Sequence, residues 1–395
     1  ELSKEDILNL FKIDSSEKEN LIPLKKFKNE FVKIIATLEK IKICDPAIGS
    51  GAFPLTLMNE IIYLKRTLFE TLEKKYDVYE IKRKFIENNL YGVDIDPGAI
   101  EIAKLRLWLS LVVDEQEFDS IKPLPNLEYK IMQGNSLIQR ISGLDFDEIE
   151  EDLFNNLHIS EIKDRLAFLQ SNYFNTTSRI NKKEIKEEIN KIFVDLLNRQ
   201  LNNVSDRGKK KYLQEEIKNI TQSSSQRNFF LWKVFFKEIF DNNGFDIVIS
   251  NPPYIFARSS KEKGLSEEDK KYYKEKYALS QYQINTYILF FELGSRILSR
   301  EGYLSYIVPN NCLTIQTNSD LREFILNLNN IQIANFHSKV FESADVDSAI
   351  ISFNNKENKK SKISLYEYRK DFELVGIVDT KYFKKDNSII NFELI

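Results

Sequence analysis

The sequence predicts an α/β chain: a seven-stranded, mostly parallel sheet with an antiparallel terminal hairpin, plus an inserted helical segment. Three observations lead there. Short apolar runs alternate with helical patterns, which implies crossover connections and a sheet covered on both faces. The first run ends in CDPAIGSGAF (44–53), a turn with two glycines that opens a helix. The fourth run, FDIVIS (245–250), stops at Asn251-Pro252-Pro253-Tyr254. Neither proline has an N–H to continue a ladder, and Pro253 holds the residue before it extended.

The predicted strands are 41–45, 90–94, 129–133, 245–250, 303–308, 331–336 and 349–353. Helical patterns at 54–74 and 97–112 follow the first two. Between the sixth and seventh lies only the link 338–348, which is too short for a crossover and predicts a hairpin. Residues 145–228 break the rhythm: they are polar and helical, with charge-dense runs such as NKKEIKEEINK, and SSSQ (223–226) reads as a linker back to the sheet. Such runs ordinarily form solvated faces; the functional alternative is an arm that braces another domain or touches DNA phosphates.

The bulk numbers bound the answer. A chain of 395 residues with 42% hydrophobic and 30% charged residues is expected to be globular. No apolar run approaches the length of a membrane span, and ELSKEDILNL is not a signal peptide. The missing initiator methionine suggests a piece of a longer protein. Two cysteines and two histidines point to a reducing cytoplasm and no metal. A net charge of −3 neither requires nor excludes a nucleic acid.

Chemistry concentrates at four strand ends, where open α/β sheets place ligands. Asp45 and Pro46 end the first strand, and the glycines after them let backbone approach a ligand. No Lys-Ser or Lys-Thr follows, so this is not a phosphate loop. Asp94, at the tip of the second strand, suits the two hydroxyls of a ribose, and Ile95 suits a purine face. Asp96 ahead of Pro97 reads as a helix N-cap. Asn135 in QGNSL suits an adenine edge. Together the tips offer a place for a nucleoside with a small charged tail. Taken alone, the glycine turn reads as an ordinary strand-to-helix turn and Asp96 as a cap, whereas Asp94, inside its strand, is not explained by capping.

The run DPAIGSGAF, YGVDID, GNSL and FDIVISNPPY resembles the S-adenosylmethionine-dependent amino-methyltransferases. More closely, it is similar to the gamma-class N6-adenine DNA methyltransferases of the type IIG restriction–modification branch, over roughly 40–355. The resemblance implies a Rossmann-like methyltransferase fold and S-adenosylmethionine as cofactor. Its cofactor-binding set would be Asp45, Pro46, Ala47, Gly49, Gly51, Phe53, Asp94, Ile95, Asn135 and Ser136. Asn251, Pro252, Pro253 and Tyr254 would be catalytic, with Asn251 and the Pro252 carbonyl accepting from the target amine. Tyr254 and Phe341 would stack on a base flipped from DNA, and Asn285 would shape the pocket.

The implied organisation is a lead-in at 1–40, a catalytic domain at 41–144 and 229–355, a helical insertion at 145–228 and an extension at 356–395. The extension reads as the start of a target-recognition domain, and nuclease and recognition parts would lie outside this chain. Methylation of an RNA base or a protein glutamine stays open, as does a noncatalytic nucleic-acid-binding subunit, because NPPY serves other planar amines.

Overall fold

A computed structural model describes residues 27–113, 127–141, 144–145, 156–176, 178–201, 206–222, 227–256, 265–280, 284–337, 340, 347–358, 361–384 and 388–392. In chain order the strands are β1 (Ile43–Asp45), β2 (Leu90–Asp94), β3 (Ile131–Gln133), β4 (Arg140–Ile141), β5 (Leu144–Asp145) and β6 (Phe245–Ser250). They continue with β7 (Leu298–Pro309), β8 (Leu328–Phe336), β9 (Ser348–Glu357), β10 (Lys362–Tyr368) and β11 (Phe372–Asp379). β4 and β5 form a separate ribbon; the other nine make one sheet in the order β11-β10-β8-β9-β7-β6-β1-β2-β3.

Five neighbouring strands, β3, β2, β1, β6 and β7, run parallel. β9 lies antiparallel between β7 and β8, which is the expected hairpin. The sheet has nine strands rather than seven. β10 pairs parallel with β8, and β11 pairs antiparallel with β10 at the edge. β10 carries only a short alternation around buried Ile363 and Leu365, while β11 at the edge exposes Phe372, Leu374 and Ile377 and so has no core-facing alternation.

Adjacent residues on the central strands face opposite ways, as the pleat requires. Ile43, Leu90 and Ile131 enter one core. It lies against α2 (Ala52–Thr71), α3 (Val78–Asn88) and α4 (Pro97–Val112), while α1 (Lys28–Leu38) packs on α2. Cys44, Tyr91 and Met132 enter the other, larger core. Asp96 caps α4 through Gly98 N, with Pro97 in the first turn, as expected.

In the 145–228 region the chain forms α5 (Asn156–Asn175), α6 (Arg179–Gln200) and α7 (Arg207–Gln222). The linker SSSQ lies outside the described residues. Beyond it the aromatic run FFLWKVFF forms the short helix α8 (Trp232–Phe235), which leads into α9 (Lys237–Phe240). Phe230 meets Trp232 edge to face, Phe245 meets Trp232 and Phe236 likewise, and Phe230 and Phe236 pack tilted. The remaining helices are α10 (Glu267–Lys276), α11 (Thr286–Ile297), α12 (Ser319–Leu326) and α13 (Thr380–Phe383). Among the described residues no helix is long and apolar enough to cross a membrane.

One feature of the topology positions everything that follows. The chain leaves β1 for β2 on one side and returns to β6 on the other. That reversal opens a crevice at the carboxyl ends of β1 and β6.

Candidate active site

The turn after β1 is built around a buried carboxylate. Asp45, 1% exposed, accepts at Oδ1 from Ala47 N (3.0 Å) and from the Ser250 hydroxyl (2.6 Å). Gly49 and Gly51 both have left-handed φ, +52° and +76°. A Cβ on Gly51 would stand 3.2 Å from Ala103 Cβ on α4, and one on Gly92 of β2 would stand 2.3 Å from Ile48. The turn is therefore pressed close against its neighbours, and only glycine allows it. Pro46 is buried, whereas Ala47 and Phe53 are half-buried.

Asp94 binds the same turn from β2: Oδ2 accepts from Gly49 N at 2.8 Å and Oδ1 from Asp96 N at 2.9 Å. Each oxygen keeps a further lone pair for a ligand hydroxyl. Ile95 beside it is 47% exposed, an apolar surface at the mouth of the crevice. Gln133 holds the Ile95 carbonyl at 2.9 Å.

The GNSL residues are more tied up than their sequence suggests. Asn135 accepts from Leu137 N (3.1 Å) and hydrogen-bonds Tyr273. Ser136 is 3% exposed and donates to the Pro46 carbonyl at 2.6 Å. Both brace the loop. α10 reinforces them from across the chain, through Tyr272 to Gln139 N (3.0 Å) and Tyr277 to the Leu137 carbonyl (2.9 Å).

Asn251 to Tyr254 leave β6 directly beside this turn. Asn251 and Tyr254 are half-buried, Pro252 is buried and Pro253 exposed. The Tyr254 hydroxyl stands 2.8 Å from Asn251 Oδ1 and 3.1 Å from the Ile307 carbonyl, so its one proton serves either acceptor. Burial, with the Cys312 thiol close by, pushes this phenol up to about 12, and it stays a neutral donor. Its ring meets Tyr287 edge-on at 5.9 Å.

Thr286, at the start of α11, clamps the segment. Its hydroxyl donates to the Pro253 carbonyl and accepts from Ile255 N (3.0 Å), while its own N–H reaches the Ile255 carbonyl (3.1 Å). Sequence reading missed Thr286, Ser250 and Tyr273, because each acts on a residue far away in the chain. Phe341 lies outside the described residues. Among the described residues no cluster of metal-ligating side chains is present. A cleft lined by Glu39, Lys65, Tyr76 and Asn89 lies at the opposite, amino ends of the strands and contains none of these groups.

The model of the Eco57I restriction-modification methylase family matches residues 88–341, more than half of the chain. The chain belongs to that family. This methylase is 26% identical to the type II restriction enzyme and methyltransferase RM.Eco57I of Escherichia coli over 86% of its own length and 27% of that protein. It is 29% identical to a Methanocaldococcus jannaschii protein provisionally assigned as a type II restriction enzyme and methyltransferase, over 89% of the chain and 32% of that protein. The methylase therefore spans about a third or less of these relatives. Among solved structures, the type IIL restriction–modification enzyme MmeI in complex with DNA aligns with a TM-score of 0.47 at 15% identity, covering 96% of this chain and 40% of that one.

Two tests follow from the geometry. Thr286→Val keeps the shape but strands the Pro253 carbonyl and Ile255 N–H, and should cost about 1–3 kcal/mol of stability. Amide exchange should quicken at 251–256 more than across the sheet; uniform protection would show that the clamp is not needed.

The second test uses pH. Burial raises the Asp45 carboxyl from 3.8 to about 7 against the opposing hydrogen bonds of Ser250 and Ala47, and the Asp94 charge adds to the rise. Folding thus favours the protonated form, so its contribution is full below about pH 4 and is lost as pH climbs through about 7. Asp45→Asn keeps the acceptor oxygen and removes the charge. Urea unfolding of this variant should lose pH dependence over that window and gain stability relative to wild type near neutrality and above.

Proposed function

We propose that this chain is the methyltransferase core of a restriction–modification protein and methylates the exocyclic N6 amine of adenine in DNA. The observation that carries the reading is the Asn251-Pro252 pair at the end of β6, beside the Asp45 turn, with Asn251 Oδ1 held by Tyr254. Family membership supports methyl transfer in such systems.

The chemistry explains why a strand ends in Asn-Pro-Pro-Tyr. An adenine amine is a poor nucleophile because its lone pair is delocalised into the ring. Two fixed acceptors on its two N–H bonds let the nitrogen become tetrahedral and localise that pair. The Asn251 side-chain oxygen and the Pro252 carbonyl are those acceptors, and they are preorganised before reaction. The two prolines stiffen the bend, and Thr286 clamps its far side. Asn251 cannot rotate freely while Tyr254 donates to it.

The crevice also fits the cofactor that the chemistry needs. The open side of Gly49, where a Cβ would meet nothing nearer than the Ala47 carbonyl at 4.0 Å, the free lone pairs of Asp94 and the exposed Ile95 suit a nucleoside. When bound, S-adenosylmethionine supplies a methyl group already activated on a sulfonium. Asp94 would hold its ribose, Ile95 its purine, and Phe53 and the Asp45–Gly51 turn its methionine end. The target base must leave the duplex to reach Asn251, with Tyr254 offering it an aromatic face. In this reading 41–144 and 229–355 form the catalytic domain, 145–228 a helical insertion and 356–395 an extension towards parts that the longer relatives carry. Those parts would supply nuclease activity and target recognition. The setting would be the cytoplasm.

The test is transfer of labelled methyl from S-adenosylmethionine to mixed genomic DNA, followed by digestion to nucleosides. Label should appear in N6-methyladenine and fall by roughly 100-fold or more in Asn251→Ala. Label confined to RNA, protein or N4-methylcytosine would overturn the reading.

A further inference from the structure

Asn285 is an N-cap residue that does not cap. It precedes α11 with extended backbone (φ −129°, ψ 128°), yet its side chain makes no capping bond. Asparagine is favoured there because its oxygen accepts a first-turn N–H. Asp77, Asp96 and Ser266 make such bonds on α3, α4 and α10. Asn285 is also 3% exposed. Among the described residues its Oδ1 is buried with no hydrogen-bond partner. Leaving such an acceptor unpaired costs about 1–3 kcal/mol.

The position of this cost is informative. Asn285 bridges Phe256 in an antiparallel pair, and the next residue is the Thr286 clamp on Pro253 and Ile255. The unpaired oxygen therefore belongs to the segment that holds the Asn251–Tyr254 loop. Asn251 Oδ1, by contrast, already faces the Tyr254 proton. An unmet buried polar group at such a place calls for an explanation, and relief by a bound ligand is one.

We propose that Asn285 Oδ1 is a third acceptor of the site, taking an N–H from an amino group of a bound ligand. This rests on the methyl-transfer reading. That reading brings two amines here: the amine to be methylated and the ammonium of the cofactor's amino-acid tail. A carboxamide oxygen accepts from either, and the experiment separates them.

Asn285→Leu and Asn285→Ala remove the acceptor with and without replacing its bulk. Each is examined for unliganded melting temperature and for binding by calorimetry. The probes are S-adenosylmethionine, 5′-methylthioadenosine (which lacks the tail), and single-stranded oligonucleotides carrying adenine or the amine-free base purine. Unliganded Asn285→Leu should melt at or above the wild-type temperature, because an unmet polar group has gone. Binding should weaken about tenfold, either for S-adenosylmethionine but not 5′-methylthioadenosine, or for adenine but not purine.

Equal wild-type affinity for all four probes in both variants would overturn the proposal. So would a lowered melting temperature with all four weakened alike, since that marks a structural residue. A wild type that binds none of the probes would defeat the methyl-transfer reading as well; variants that bind like a competent wild type defeat only this proposal.

Discussion

The arrangement depends on one buried carboxylate. Asp45 Oδ1 joins the turn after β1, through Ala47 N, to the end of β6, through Ser250. Those two hydrogen-bonded side chains are 205 residues apart. From the same turn, Gly49 N reaches Asp94 on β2. One short network thus runs from Asp94 at the tip of β2 to Ser250, the residue before Asn251. In a water-poor interior such a network is stiff, and it would fix the spacing between the two ligand sites proposed on different strands.

The second support comes from helices on the far side of the chain. α11 clamps the Asn-Pro-Pro-Tyr segment through Thr286, and α10 pins the loop after β3 through three tyrosines. Neither helix contributes a group of the kind usually sought in an active site. Most of their hydroxyls hold backbone, Tyr273 holding the Asn135 side chain instead. The cost of this rigidity appears as a charge-averse carboxyl in Asp45 and an unmet acceptor in Asn285.

Much of this was legible in the sequence, and the limits have physical causes. The strands at 90–94 and 245–250 stand where their apolar runs placed them: β2 is buried over four of its five residues, and β6 is anchored by buried Phe245 and Val248 although Asp246 is exposed. The hairpin of β8 and β9 followed from a link too short to cross over. β10 and β11 were missed as strands, since an edge with one wet face gives only a weak pattern. In the site, glycines and strand-end acids announced themselves by local spacing. Thr286 and Ser250 did not, because hydrogen bonds across 33 and 205 residues leave no local trace. Asn135 and Ser136 were visible as polar residues at a strand tip, but their bonds to Leu137 N and the Pro46 carbonyl were not.

The carboxyl ends of β1 and β2 are proposed to form a nucleoside site that serves Asn251. The most direct measurement is calorimetric titration of S-adenosylmethionine into the wild-type chain and into Asp94→Ala, with circular dichroism to confirm that both are folded. One-site binding is expected, weakened at least about tenfold in the variant while the fold persists. Equal affinity in the two folded proteins would contradict it and move the cofactor elsewhere.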